Sequence, residues 1–209
     1  MKTIVLASQK GGAGKTTLAG HLAVAAEAAG AGPVALIDTD PQGGLAAWWN
    51  SRKAATPGFA AIKGTLAETL AGLAAAGTAL VVVDTPPILG DAIAATMAQA
   101  DLVVIPVQPS PHDLRAAGAT VELARRTRRP MVFVVNRARA RTRLTVDAAL
   151  ALSQHAPVAP MLIEDRQDFR TAMIDGRAAA ELDPESKAAI EMARLWTYLA
   201  ERLEDTQHG

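Results

Sequence analysis

Short unbroken apolar runs recur along the chain, separated by longer Ala- and Leu-rich stretches in which polar residues return at helical spacing. The strongest runs are "TIVLAS" from residue 3, "PVALID" from 33, "ALVVVD" from 79, "DLVVIPV" from 101 and "PMVFVVN" from 130. They do not alternate apolar with polar, so each suits a strand covered on both faces, as in a parallel sheet between two helical layers. The stretches between them predict helices at about 15–30, 64–76, 89–99, 111–128, 142–155, 165–175 and 184–205. For the last of these, Asp183 is placed as N-cap, with Pro184 at the first helical position and Glu185 just after. The pattern predicts an α/β fold: a single doubly wound domain, with a mostly parallel sheet flanked by helices on both faces.

Ligands in such sheets bind beyond the carboxyl ends of the strands. The first run leads into "QKGGAGKTT", residues 9–17. A P-loop reads G-x-x-x-x-G-K-[ST]; here Gly14, Lys15 and Thr16 supply its end, while Gln9 stands at the opening glycine position. Gly11, Gly12 and Gly14 let the backbone wrap phosphate oxygens around Ala13, Lys15 adds a charge on the β/γ-phosphates, and Thr16 can ligate magnesium. A glycine turn opening a helix accounts for the glycines but not for the Lys-Thr-Thr that follows. After the second run, "DTDPQGG" sets Asp38 and Asp40 on either side of Thr39, suited to magnesium-bound or attacking water, or to a polar turn. After the third, Asp84 in "VVVDTPP" has the place of a Walker-B aspartate, or caps the next turn.

Composition narrows the reading. The chain has 209 residues, half of them apolar, enough for one sizeable core. Its formal charge is zero, so attraction to nucleic acid or anionic lipid needs a local patch. It has no cysteine, which removes disulfides, thiolate metal sites and iron–sulfur clusters. No run of about 18 membrane-type residues occurs, and the start is more like a first strand than a signal peptide. The expected location is the cytoplasm.

Taken together, "KGGAGKTT", "DTDPQ" and "DTPP", with "IPVQPSPHDL" and "DRQDFRTAMIDG" in support, resemble the ParA/MinD superfamily of deviant Walker-A ATPases, and within it the small ParA-type partition ATPases. The resemblance implies ATP and Mg2+ as cofactors. It makes Lys10 the signature lysine, which reaches across an ATP-sandwich homodimer to the phosphates held by the other subunit. It implies that Lys15 binds phosphate in cis, Thr16 ligates magnesium, Thr17 touches the phosphates, Asp40 orients the attacking water and Asp84 holds the magnesium shell through water. Asp38 bonds either a magnesium water or the loop itself. Asn136 matches the adenine-contacting position of relatives, or simply ends its strand.

The implied function is ATP-switched dimerisation on non-specific DNA, reversed when a ParB-like or adaptor protein stimulates hydrolysis, so as to position a plasmid, a chromosome or a protein assembly in association with the nucleoid. The absence of cysteine removes the cluster-binding branches, and the acidic stretch from residue 200 lacks the basic amphipathic helix of membrane-bound MinD-like proteins. The first strand starts at about residue 2, which predicts no N-terminal helix-turn-helix domain. Candidate DNA contacts are Arg137, Arg139, Arg141 and Arg143 in "NRARARTR", with an ordinary solvated loop as the alternative, and Arg166 and Arg170, four apart on one helix face. Trp48 and Trp49 are either core or a cargo-binding surface. The rival from another class is an ATP-dependent small-molecule ligase of the dethiobiotin synthetase type, which has no need of Lys10; a third reading is a membrane-associated MinD-like positioning ATPase.

Overall fold

The computed structural model describes residues 1–88 and 90–205. All five apolar runs are strands: β1 (Lys2–Leu6), β2 (Val34–Asp38), β4 (Leu80–Asp84), β5 (Leu102–Val107) and β6 (Met131–Val135), joined by a two-residue edge strand, β3 (Gly58–Phe59). Every strand pairing is parallel, in the order β3-β2-β4-β1-β5-β6. Successive side chains point to opposite faces: Ile4 and Leu6 enter one hydrophobic layer, Val5 and Ala7 the other. The outer edge of β6 is sealed by an irregular segment. Phe133 N donates to Pro157 O at 2.9 Å, Ala159 N to Phe133 O at 2.8 Å and Ile163 N to Val135 O at 3.0 Å. These bonds satisfy an otherwise open row of backbone groups and carry residues 163–166 to the ligand-binding end of the sheet.

Seven helices answer to the expected ones: α1 (Lys15–Ala28), α3 (Leu66–Ala75), α4 (Asp91–Met97), α5 (Pro111–Thr127), α6 (Arg143–Ser153), α7 (Gln167–Met173) and α9 (Lys187–Asp205). The expected start of α4, Leu89, lies outside the described residues. Two short helices, α2 (Gly44–Asn50) and α8 (Ala179–Leu182), were not predicted. The predicted start of the last helix is corrected. Asp183 instead forms a turn, its Oδ1 accepting from Glu185 N at 3.0 Å, and Ser186 caps the helix by accepting from Ala189 N at 3.1 Å. An Asp that bonds the backbone two residues on favours a turn over a cap.

One layer of the core holds α1, α2 and α7–α9 against the sheet; the other holds α3–α6. Trp48 and Trp49 both pack into the fold. Trp48 is buried, lies over Gly20 of α1 and donates its indole N–H to Arg177 O at 3.1 Å, while Trp49 donates to Pro57 O at 2.9 Å. Beneath them the Arg52 side chain, only 2% exposed, pairs in fork geometry with Glu181 and also bonds Gly176 O and Thr56 O. Gly176 has φ +79°, and a Cβ there would lie 2.5 Å from Arg52 N, so only glycine fits.

His21 sits in this layer with its ring edge on Phe169, centroids 5.1 Å apart, and its Nδ1–H donating to Thr17 O at 2.9 Å. Burial pushes its pKa from 6.5 down to about 4, outweighing the backbone bond to Thr17 and nearby Glu181. Between these values the unfolded chain takes up a proton that the folded chain refuses, so stability is full above pH 6.5 and falls as pH drops toward 4. Urea unfolding is expected to show about 2 kcal/mol lost between pH 7 and pH 5 on this account. The His21→Gln variant should lack that part of the slope; an unchanged slope would mean that His21 is protonated in the fold.

Candidate nucleotide site

The site forms where β1, β2, β4, β5 and β6 all deliver their carboxyl ends around the N-terminus of α1. The loop after β1 is locally possible because Gly12 and Gly14 take φ +78° and +96°, where a Cβ is unfavourable. Gly14 is also tightly approached: a Cβ would meet Asn136 Nδ2 at 2.3 Å. The backbone N–H groups of Gly14, Lys15, Thr16 and Thr17 find no acceptor among the described residues, and no side chain caps α1. Four free N–H groups at a helix N-terminus, with the positive end of its dipole, make a ready cradle for an anion.

The charged groups lie on the β2/β4 side. Lys15 is buried, with Nζ donating to Ser8 O at 3.2 Å. Burial lowers its pKa below the ordinary value, while Asp84 and Asp40 pull it back up. Asp84 ends β4 and is almost wholly buried, and Thr16 Oγ1 donates to its Oδ2 at 2.5 Å. Burial chiefly, with Asp38 adding, pushes its pKa up to about 7 against the opposing pull of Thr16 and Lys15. A carboxylate so placed gains from a cation beside it. No group of three or more His, Cys, Asp or Glu side chains among the described residues could hold a metal alone. The hard oxygens of Thr16 and Asp84 therefore fit Mg2+, which commonly takes one or two protein ligands and completes its shell with substrate phosphates and water.

Asp38 has a different occupation. Its Oδ1 accepts from Asp40 N at 2.9 Å and its Oδ2 from Leu45 N at 2.9 Å and Ala46 N at 3.0 Å. It holds the loop and caps α2, the second of the two roles foreseen for it. Asp40 accepts from Gln42 N through Oδ1 at 2.9 Å, and its charge is felt by Lys15. Lys10 is exposed, and no hydrogen bond or ion pair among the described residues holds its ammonium.

On the β5/β6 side, neutral groups meet the loop. Asn136 Nδ2 donates to Ala13 O at 2.7 Å, Gln108 Nε2 to Gly12 O at 2.8 Å, and Gln9 N donates to Thr120 Oγ1 at 3.2 Å. Gln108 and Thr120 were not singled out from the sequence, although Gln108 stands at a strand's carboxyl end and so carried the positional signal. Beside Gly14 and Thr17 a small cavity is lined by Asn136, Arg137, Asp165 and Phe169.

The six candidate arginines divide. Arg137, Arg139 and Arg141 are exposed and without ion pairs among the described residues, with buried Ala138 between the first two. Arg143 lies 3.5 Å from Asp147, with both side chains largely in solvent. Arg166 is tied to Glu191 at 2.6 Å and Glu164 at 3.1 Å, and Arg170 to Asp165 at 2.7 Å. Both also line the cavity beside Gly14.

Residues 4–179 match the CobQ/CobB/MinD/ParA nucleotide binding domain. The chain is 32% identical over 200 residues to maintenance of carboxysome distribution protein A of Halothiobacillus neapolitanus, an alignment covering 90% of this chain and 91% of that one. Among solved structures it is similar to the septum site-determining protein MinD complexed with Mg-ADP from Pyrococcus horikoshii, with a TM-score of 0.77 at 17% identity over 98% of both chains. It is also similar to a Cyanothece McdA variant in complex with ATP, with a TM-score of 0.72 at 19% identity, covering 98% of this chain and 96% of that one. At such identities the two structures speak to the fold.

Lys15→Ala removes the one buried cation of the cradle. Its expected result is loss of measurable ATP binding by calorimetry with the fold retained, and near-normal affinity would remove Lys15 from the site.

Proposed function

Because the chain belongs to the CobQ/CobB/MinD/ParA nucleotide-binding family, we propose that it is a magnesium-dependent ATPase that dimerises around ATP, binds DNA non-specifically and positions a cargo. The observation that carries this reading is Lys10. The phosphate site already has its own buried cation in Lys15, so a second lysine in the same loop, exposed and unheld among the described residues, suits service to a neighbour. A cation delivered in trans neutralises phosphate charge only when two subunits meet, which makes ATP the switch for dimerisation.

In this reading the N–H groups of residues 14–17 and Lys15 bind the phosphates, Thr17 among them, while Thr16 and Asp84 hold the magnesium shell. When bound, magnesium neutralises charge developing on the β- and γ-phosphates. Asp40 orients the attacking water, and Asn136 and its cavity receive the adenosine. The name of the carboxysome relative favours a protein assembly as cargo over a plasmid or chromosome. The partner that stimulates hydrolysis is then an adaptor in the place of a ParB-like protein, and the dimer's track is the nucleoid.

For DNA, the arginines without internal partners have first place. Arg137, Arg139 and Arg141 offer their full charge to phosphates, and Arg143 gives up only a solvent-screened pair. Arg166 would have to leave two carboxylates to reach DNA, a loss that phosphate contact must offset, and Arg170 would have to leave Asp165. Contacts of this kind position the protein without reading sequence.

Two outcomes are expected. Lys10→Ala should leave ATP binding by the monomer largely intact while abolishing the dimer seen by sedimentation with a non-hydrolysable analogue; a variant that still dimerises removes the trans role. The ATP-analogue form should bind random-sequence duplex DNA more tightly than the ADP form, and replacing Arg137, Arg139 and Arg141 with alanine should flatten the log–log salt slope by about 0.9 per lost contact. Equal, weak binding in both nucleotide states would take DNA out of the function.

A further inference from the structure

Two side-chain amides from neighbouring strands grip two consecutive carbonyls of the phosphate loop: Gln108, just past β5, takes Gly12 O at 2.8 Å, and Asn136, just past β6, takes Ala13 O at 2.7 Å. From this we infer that Gln108 and Asn136 are positioning residues, a clamp that turns the loop's carbonyls away from the phosphates and so presents its N–H groups to them. The inference rests on the nucleotide reading above and assigns the β5/β6 side of the site a task in it.

The physical argument begins with the planar peptide. Carbonyl and N–H of one unit point in opposite directions, so fixing Ala13 O toward Asn136 fixes Gly14 N–H on the opposite side. Gly14 N–H is one of the four without an acceptor among the described residues. A glycine-rich loop has no side chains to hold this orientation, and glycine readily takes the flipped backbone conformation. A flipped unit would aim a carbonyl oxygen at a phosphate oxygen. Holding the unflipped form therefore has to be done from outside the loop, by donors.

The clamp is built to stay put. Asn136 is buried, and its own backbone N–H donates to Val107 O at 2.9 Å, immediately before Gln108. Pro109 follows Gln108 and restricts it to extended conformations. Gly14 without a Cβ lets Asn136 Nδ2 come close enough to bond. Thr120 holds the loop's entry by accepting from Gln9 N at 3.2 Å, so the loop is gripped before, at and after its turn. Both donors are uncharged amides. A lysine or arginine here would compete for the phosphates themselves, and a carboxylate would repel them.

The test uses the full chain and inorganic pyrophosphate, which reports on the phosphate cradle without base or ribose. Gln108 is only partly buried, so Gln108→Leu removes the donor at nearly constant size while the melting temperature should hold. Loss of one such bond is expected to weaken ATP and pyrophosphate by the same factor, about fivefold, with KM for ATP rising more than kcat falls. Gln108→Glu should weaken both further, because a carboxylate then faces the carbonyl and the phosphates. Asn136→Ser, too short to reach, should weaken pyrophosphate as Gln108→Leu does, and the double variant should lose less pyrophosphate affinity than the product of the two factors, since both hold one loop. If Gln108→Leu or Asn136→Ser leaves pyrophosphate binding unchanged while ATP weakens, that side chain acts on the nucleoside alone and the clamp is overturned. Unchanged binding of both ligands by Gln108→Leu overturns it equally. Wild-type protein that binds neither ligand defeats the nucleotide reading instead, a result visible before any variant is made.

Discussion

The immobility of α1 governs the rest of the molecule. From Leu18 to Ala26 the helix is buried against the sheet and against α2, α7, α8 and α9, so it cannot turn its first N–H groups outward to find water along the sheet's face. Those groups stay aimed at the space above the parallel strand ends, where the helix dipole also concentrates positive potential. An all-parallel sheet can build such a place because each strand arrives from the same direction, and the residues just beyond five different strands therefore meet around one helix terminus.

Strand order then divides the chemistry. To one side of β1 stand β4 and β2, which bring Asp84, Asp38 and Asp40; to the other stand β5 and β6, which bring Gln108 and Asn136. The acidic half suits a cation and a water molecule, and burial, with Asp38 adding, explains why Asp84 resists ionisation. The amide half can touch the loop without adding charge to a site already balanced between Lys15 and the carboxylates. Placing carboxylates on both sides would repel the same phosphates that the helix terminus attracts.

Beneath the site, Trp48, Arg52, His21 and Glu181 join α2, α1 and the α7–α8 connection into one packed unit. α2 is capped by Asp38 at its start and anchored by Arg52 just past its end. The loop that bears Asp40 and the wall that bears Phe169 thus rest on the same buried cluster. Breaking the Arg52–Glu181 pair by removing one partner would strand a charge in the interior, a far larger cost than the pair's net worth.

Much of this was legible in the chain itself. Unbroken apolar runs revealed the five main strands and their double-sided burial, and the glycine loop with Lys15 and Thr16, followed by Asp84 at a strand end, marked a phosphate site. Those features are local: backbone geometry, burial period and a helix terminus are written within a few consecutive residues. Tertiary structure alone decided that Asp38 is spent on capping α2, that Arg166 is held by Glu191 twenty-five residues away, that residues 157–165 close the edge of β6, and that Gln108 reaches Gly12 across ninety-six positions. A side chain's partner is whatever the packed elements bring within about 3 Å, and no spacing along the chain encodes that distance.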